Sequence, residues 1–156
     1  MQIVDEYDYR NAKAILERRF PSELKEFYLL LNAIKLDLMC KSKQKNLSRQ
    51  IQLHFKDNGW NIEQGLFTLP ELKYDITKDN FVVEIEIGHE RLVYAVFFKF
   101  LADFSKSKIE AGIMVVTGDA TKFGAKWHNS LINTKKKLDG IREVYSTPIL
   151  IIAVDP

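Results

Sequence analysis

The sequence has little of what builds disulfides, zinc sites or membrane spans. A single cysteine, Cys40, excludes an internal disulfide and a cysteine-rich zinc site, and its apolar setting predicts a buried, unreactive thiol. No apolar run reaches the roughly eighteen residues that a membrane-spanning helix needs. The first ten residues carry acidic side chains and no apolar stretch, unlike a signal peptide. We therefore expect a cytoplasmic protein that has no membrane partner.

Proline and glycine are also scarce, with four and seven among the 156 residues, and they form no linker. Because no repeat or low-complexity segment divides the chain, we expect one domain over residues 1–156, long enough to bury a core. The net charge of +2 excludes no class of partner. The basic residues are grouped, however, at 41–49 and 135–137, and such groups, although usually solvated surface, also suit a polyanionic partner.

The spacing of hydrophobic residues predicts an α/β fold with a central mixed β-sheet of about five strands flanked by helices. The order strand, helix, strand from residue 82 to residue 116 is typical of parallel pairing with a right-handed crossover. The second helix carries a broad apolar stripe that needs a cover, for which the sheet, the first helix and a second copy of the chain are alternatives. Helices are predicted over residues 9–19, 22–37, 47–56, 92–106 and 126–138, and strands over residues 66–69, 112–116, 148–154 and a hairpin at 73–87.

The hairpin is the most informative stretch, because a turn at Asp79-Asn80 sets Asp75 opposite Glu84. Glu86 follows two positions along on the same face, so three carboxylates lie within roughly 5–7 Å of each other. Like charges so close repel each other unless a cation lies among them. An odd-numbered turn would move Asp75 and Glu84 to opposite faces. The other face is apolar and is predicted to be buried, with Tyr74, Ile76, Val83, Ile85 and Ile87.

Carboxylates on neighbouring strands provide hard oxygen ligands, which suit Mg²⁺ or Mn²⁺ rather than zinc. Mg²⁺ completes its coordination with waters and phosphate oxygens, so the pattern favours cleavage of a phosphodiester. Hydrolysis of a glycoside is the alternative use of paired acids, but the polar face of the hairpin offers no aromatic platform. Glu-x-Glu alone is usually an exposed strand face; the matching aspartate, the apolar reverse face and the helix and buried strand that follow make this pattern more specific.

The helix after the hairpin is the most aromatic in the chain, and Tyr94, Phe97 and Phe98 predict that it is largely buried against the sheet. Lys99 interrupts this aromatic run. Such a lysine usually extends from the edge of a buried helix to water. Because it follows an acidic strand, the alternative is that it reaches a phosphate bound there.

In this order of parts the chain resembles the PD-(D/E)xK nuclease superfamily and, within it, the BglII/BamHI/BstYI group of type II restriction endonucleases. The resemblance implies a restriction-endonuclease-like fold and a Mg²⁺-dependent hydrolysis of DNA, with Mn²⁺ as an alternative cofactor, that leaves a 5′-phosphate and a 3′-hydroxyl. It covers about the last two-thirds of the chain, in Gly59-Trp60, the hairpin 74–87, Tyr94, Phe98-Lys99-Phe100 and residues 148–152.

By this resemblance Asp75, Glu84 and Glu86 are the catalytic residues, and the metal ligands are these three carboxylates and the carbonyl of Ile85. Glu86 stands where most of the superfamily has lysine. Because a carboxylate supplies no positive charge, Glu86 is expected to hold a second cation or to orient and deprotonate the attacking water. Lys99 is expected to stabilise the phosphate near the cut.

Restriction enzymes of this group are typically longer than this chain, which leaves few loops for reading bases. We expect Lys122 and Lys126, in and after the loop 118–124, to contact double-stranded DNA in a groove, and Lys43 and Arg49 to grip its phosphates. Cutting both strands at a symmetric site implies a homodimer, with a GATC-centred site as the first to test and a cognate DNA methyltransferase encoded nearby.

Two other functions stay open at this point. The short recognition apparatus is also typical of a protein that keeps the nuclease fold and only binds DNA. A nuclease for repair, or for branched or single-stranded DNA, would need the same acidic hairpin. Turnover separates the first alternative from a restriction enzyme, and substrate preference separates the second.

Overall fold

The computed structural model describes residues 1–39, 43–88, 92–124 and 129–156, without the side chains of residues 43 and 44. The expectations for Cys40 and Lys126 lie outside the described residues. None of the described helices is both long and apolar enough to span a bilayer. The strands are β1 (Gln2–Tyr9), β2 (Asn61–Gly65), β3 (Lys73–Lys78), β4 (Phe81–Ile85), β5 (Gly112–Thr117) and β6 (Ile149–Asp155), and the helices are α1 (Ala12–Arg19), α2 (Pro21–Ala33), α3 (Lys43–Asp57), α4 (Val93–Phe104) and α5 (Leu131–Gly140).

The strands form one mixed sheet in the order β1-β6-β5-β4-β3-β2. β4, β5 and β6 run parallel to one another, whereas β3 is antiparallel to β4, β2 to β3, and β1 to β6. The parallel strands are buried along their length, as their continuous apolar sequences predict. The predicted class, a mixed sheet flanked by helices, is confirmed, and β1 is the additional strand.

The predicted helix over residues 9–19 begins too early. Residues 2–9 are strand β1, which pairs with β6 at the far end of the chain, for example Tyr7 with Ile151. This pairing outweighs the local helical spacing. The Asp8 carboxylate accepts a hydrogen bond from the backbone N–H of Lys13 at 3.0 Å, although helix α1 starts only at Ala12.

The predicted strand over residues 66–69 is wrong, because the strand lies earlier, in β2. β2 pairs with β3 through Ile62 and Ile76, whereas residues 66–72 form a loop closed by the N–H of Leu66 donating to Leu72 O. β2 is an exposed edge strand without alternating hydrophobicity, so its sequence carries no strand signal. Helix α5 likewise begins later than predicted, where Ser130 caps it by accepting the N–H of Asn133.

Two apolar clusters cover the two faces of the sheet. The broad stripe of α2 packs on α3 and the sheet, with the Phe27 ring centred 5.4 Å from that of Phe55 and 5.9 Å from that of Phe81. On the other face α4 buries a row that includes Phe97 and Phe100. The prediction of a largely buried α4 therefore holds for one side only; the other side exposes Tyr94 and Phe98.

A glycine fixes how closely α4 approaches the sheet. A Cβ atom on Gly112, the first residue of β5, would lie 2.6 Å from the ring of Phe100. That ring is fully buried and stacks on Tyr74, with ring centroids 5.9 Å apart. Neither ring has room to move away, so the contact needs glycine.

Tyr74 differs from its predicted place on the apolar face of the hairpin with Ile76. It packs in the α4 cluster, where its hydroxyl donates to the buried carboxylate of Asp103 at 3.0 Å. Asp103 also accepts the N–H groups of Phe67 and Thr68 and the Thr68 hydroxyl. One buried carboxylate thus ties α4 to the loop before β3 and to the residue next to Asp75.

We predict that Asp103→Ala lowers the free energy of unfolding by about 3 kcal/mol, because it leaves two part-buried N–H groups without an acceptor and the Tyr74 hydroxyl with only the carbonyl of Lys99, at 3.4 Å. Urea denaturation measures the change. As a matched control, Asp139→Ala removes an exposed carboxylate that accepts from Tyr7, and should cost less than about 1 kcal/mol. Equal losses in the two variants would contradict the buried anchor.

Candidate active site

The turn of the hairpin has the predicted even length. Lys78 pairs with Phe81, and Ile76 pairs with Val83, so the loop consists of Asp79 and Asn80. Asp79 takes a positive φ of 50°, which aspartate tolerates better than most residues. Extending this register by one position sets Asp75 opposite Glu84.

The regular ladder ends before Asp75, and the carboxylate of Asp75 fills the gap that opens. Its Oδ2 accepts the backbone N–H of Ile85 at 2.7 Å, and its Oδ1 accepts the side-chain amide of Gln52 at 2.9 Å. Gln52 lies on α3 and is buried. One carboxylate therefore joins β3, β4 and α3.

Glu84 is held from α4. Both of its carboxylate oxygens accept from the Lys99 ammonium at 2.9 Å, and the same ammonium donates to the backbone carbonyl of Lys73 at 2.7 Å. The Glu84 side chain is only 3% exposed and that of Lys99 20%. The three donors of the ammonium group are thus matched by three oxygens, two of them on a buried carboxylate.

Glu86 continues beyond β4 with its backbone fixed on both sides. Its N–H donates to Val115 O at 2.8 Å, and its carbonyl accepts from the side chain of Asn129 at 3.3 Å. Asn129 is fully buried, and its N–H donates to the carbonyl of Gly88. Among the described residues, none donates a hydrogen bond to the Glu86 carboxylate.

The three carboxylates influence one another electrostatically. Burial, with repulsion from Asp75 next, raises the pKa of Glu84 well above its ordinary value, and the Lys99 ammonium opposes the rise. Burial and then Asp75 raise the pKa of Glu86 to about 7. Burial also raises the pKa of Asp75, against the N–H of Ile85 and the charge of Lys99. The site therefore lacks positive charge.

The donor set fits a hard divalent cation, since it consists of carboxylate oxygens with backbone carbonyls nearby. Within the ranges that the structure describes, however, no three acidic, imidazole or thiol side chains form a ready group for a metal ion. The oxygens of Asp75 and Glu84 are all engaged by protein donors. A cation bound here would share these oxygens with the donors or displace them.

The residues predicted to contact DNA are placed unevenly. Arg49 lies one turn before Gln52 on α3, donates to its side-chain oxygen at 3.1 Å, and pairs with Glu63. It therefore stands near the carboxylates. Lys122 is ion-paired with Asp155 at 2.5 Å, in the short 3₁₀ helix after β5. The side chain of Lys43 lies outside the described residues.

Sequence reasoning missed Gln52 as a functional candidate and missed the buried role of Asn129. Gln52 is a polar residue directly after Ile51 on the buried stripe of α3, which was a weak signal. Asn129 had no local signal, because its role comes from contacts with Glu86 and Gly88, more than forty residues away. Both hold carboxylate-bearing segments in place through amide hydrogen bonds.

A mixed sheet with an acidic site where an antiparallel hairpin joins parallel strands defines the restriction-endonuclease-like class of proteins. A model of the family "Restriction endonuclease BglII/BglIII" matches residues 4–154. The chain belongs to this family, and is thus a type II restriction-like nuclease.

Solved structures agree with this class. The chain is similar to restriction endonuclease BglII, in its crystal structure complexed with a DNA 16-mer, with a TM-score of 0.75 and 18% sequence identity. The match covers 98% of this chain and 76% of that chain. It supports the fold, including β1, a strand that sequence reasoning did not predict. No curated protein matches the chain.

We predict that the cation-free protein loses stability as the pH rises from about 5 to about 8. Glu86 has a folded pKa of about 7 against an ordinary 4.5, so the folded state holds a proton that the unfolded state has already released. The free energy of unfolding then falls by about 2 kcal/mol across this window. Urea titrations in a chelator measure the slope.

The matched variants for this prediction are Glu86→Gln and Glu71→Gln. The first removes the titrating group, so its stability should fall less with pH and exceed that of the wild type at pH 8. The second changes an exposed glutamate in the loop before β3 and should keep the wild-type slope. A slope that Glu86→Gln leaves unchanged would contradict the assignment.

Proposed function

We propose that this protein is a Mg²⁺-dependent endonuclease that hydrolyses phosphodiester bonds of double-stranded DNA, with Mn²⁺ as an alternative cofactor. The observation that carries the proposal is the gap beside β4, where Asp75, Glu84 and Glu86 share one cation, Lys99, in the fold of a restriction endonuclease family. Burying this much negative charge is costly unless a divalent cation binds to the carboxylates, either alone or together with a phosphate group of the substrate.

Each residue has a role that follows from its contacts. Asp75 and Glu84, with the carbonyl of Ile85, would hold the cation. A cation so held polarises the phosphate and makes a nearby water more acidic. Glu86, whose carboxylate has no described donor, orients the attacking water and accepts its proton. Lys99 stabilises the charge on the phosphate near the cut.

The DNA-bound protein is proposed to be a homodimer, so that two sites cut the two strands of a symmetric sequence. A GATC-centred sequence is the first target to test, and a DNA methyltransferase encoded nearby is the expected partner. Residues 1–156 act as one nuclease domain in the cytoplasm. The similar BglII structure contains a DNA 16-mer, and this supports duplex DNA as the substrate here.

We predict that the purified protein nicks or linearises a mixed-sequence plasmid with Mg²⁺ or Mn²⁺, and that Glu84→Gln lowers the rate about a thousandfold. The loss reflects several kcal/mol of charge stabilisation at the phosphate. Gel analysis of plasmid forms over time measures the rate. Glu71→Gln, an exposed change close to β3, is the matched control and should cut normally.

Other outcomes of this assay identify the alternatives. Salt-dependent duplex binding without turnover, unchanged by Asp75→Asn, would favour a protein that only binds DNA. Faster cutting of branched or single-stranded DNA than of plasmid would favour a repair nuclease. Preference for a duplex with a GATC centre over one of the same composition would support the proposed target, and methylation of that site should then block cutting.

The homodimer is tested by sedimentation velocity. We predict a species that contains two chains of 18.1 kDa each and one duplex when a short duplex with the symmetric site is present. A scrambled duplex of equal length is the control for nonspecific loading. A stable one-to-one complex that cuts only one strand would contradict the dimer.

A further inference from the structure

We propose that Lys99 is a built-in competitor of the divalent cation: its ammonium group occupies the place on Glu84 that the cation must take, and has to leave before the cation binds. The proposal rests on that part of the proposed function which assigns a cation to Asp75 and Glu84. It concerns a different property, the affinity of the resting protein for metal.

The contacts of the ammonium group carry the argument. Lys99 Nζ lies 2.9 Å from each oxygen of Glu84 and 2.7 Å from the carbonyl of Lys73. Two carboxylate oxygens and a backbone carbonyl around one positive centre are also what a hard cation would seek. The ammonium group of Lys99 thus occupies a set of oxygens that also suits a metal cation.

Glu84 has no oxygen that is both accessible and free of the ammonium group. Both of its oxygens are bound to the same ammonium, and its side chain is nearly inaccessible. Asp75 is engaged as well, by Gln52 and by the N–H of Ile85. In this resting arrangement the described residues form no ready metal group.

Lys99 is nevertheless able to leave. Its side chain is 20% exposed, it has a flexible four-carbon stem, and it starts from a helix whose neighbouring side, at Phe98, is open to solvent. A phosphate group brought in by a substrate offers the ammonium an alternative anionic partner. The lysine would then pass from the carboxylate to the phosphate as the cation takes Glu84, so metal binding and phosphate binding reinforce each other.

The test is the affinity of the DNA-free protein for Mn²⁺, measured from the electron paramagnetic resonance signal of free Mn²⁺. We expect Lys99→Met to bind Mn²⁺ on the order of tenfold more tightly than the wild type, because the competitor is gone. Lys106→Met, the matched control, removes an exposed charge just after α4 and keeps the ion pair, so its affinity should stay within about twofold of wild type.

Two further variants make the result specific. Adding Glu84→Gln to Lys99→Met should abolish the gain, since the freed ligand is then absent. Lys99→Arg keeps the charge and forms a forked pair with the carboxylate, so it should bind Mn²⁺ no more tightly than the wild type, and it gives the answer if Lys99→Met fails to fold. Equal or weaker binding by Lys99→Met, or tighter binding by Lys99→Arg, overturns the proposal.

These measurements need neither DNA nor turnover, so they fail separately from the proposed function. A protein that shows the expected Mn²⁺ affinities but never cuts DNA would refute the nuclease activity alone. A protein that cuts DNA while Lys99→Met binds Mn²⁺ like the wild type would refute the competition alone.

Discussion

Three carboxylates and one ammonium group share the gap where β3 separates from β4, and water has little access to it. Removing charges from water is costly, which is why the pKa values of Asp75, Glu84 and Glu86 all rise. Donors from three places, namely α3, α4 and the β4 backbone, reduce this cost for Asp75 and Glu84. The fold around the site thus holds three acidic side chains close together and compensates part of their repulsion with hydrogen bonds and one ion pair.

The position of this gap follows from sheet topology. β4 is antiparallel to β3 on one side and parallel to β5 on the other, so it joins two kinds of pairing. Where β3 leaves the ladder, the N–H of Ile85 has no strand partner and donates to Asp75 instead. A local failure of backbone pairing is thereby converted into a fixed orientation of a side chain.

The hairpin was predictable because its information is local: a two-residue turn fixes which side chains face each other, and the structure keeps that register. The buried strands β5 and β6 were predictable from their apolar runs. Edge strands β1 and β2 were not, since their partners are specified by tertiary contacts and their own side chains are largely exposed. The buried roles of Gln52 and Asn129 were not predictable for the same reason. The sequence does not distinguish an amide side chain on the surface from one in a buried hydrogen-bond network.

The place of Tyr74 was also beyond the sequence. Strict alternation put it with Ile76, but the structure turns it toward α4, where a buried carboxylate and an aromatic ring receive it. The strand is therefore irregular at the residue before Asp75. Departures from ideal periodicity are expected at functional positions, where the backbone conformation is set by the placement of a side chain and not by strand pairing.

Gly112 limits which substitutions the site tolerates. It carries no functional group, yet its missing side chain lets Phe100 lie directly on β5, and Phe100 is the neighbour of Lys99. Any larger residue would lift α4 and carry the ammonium away from Glu84. In a mutational scan, Gly112 would therefore tolerate substitution as poorly as a catalytic residue does. Its only contribution is to leave free the space that a methyl group would fill.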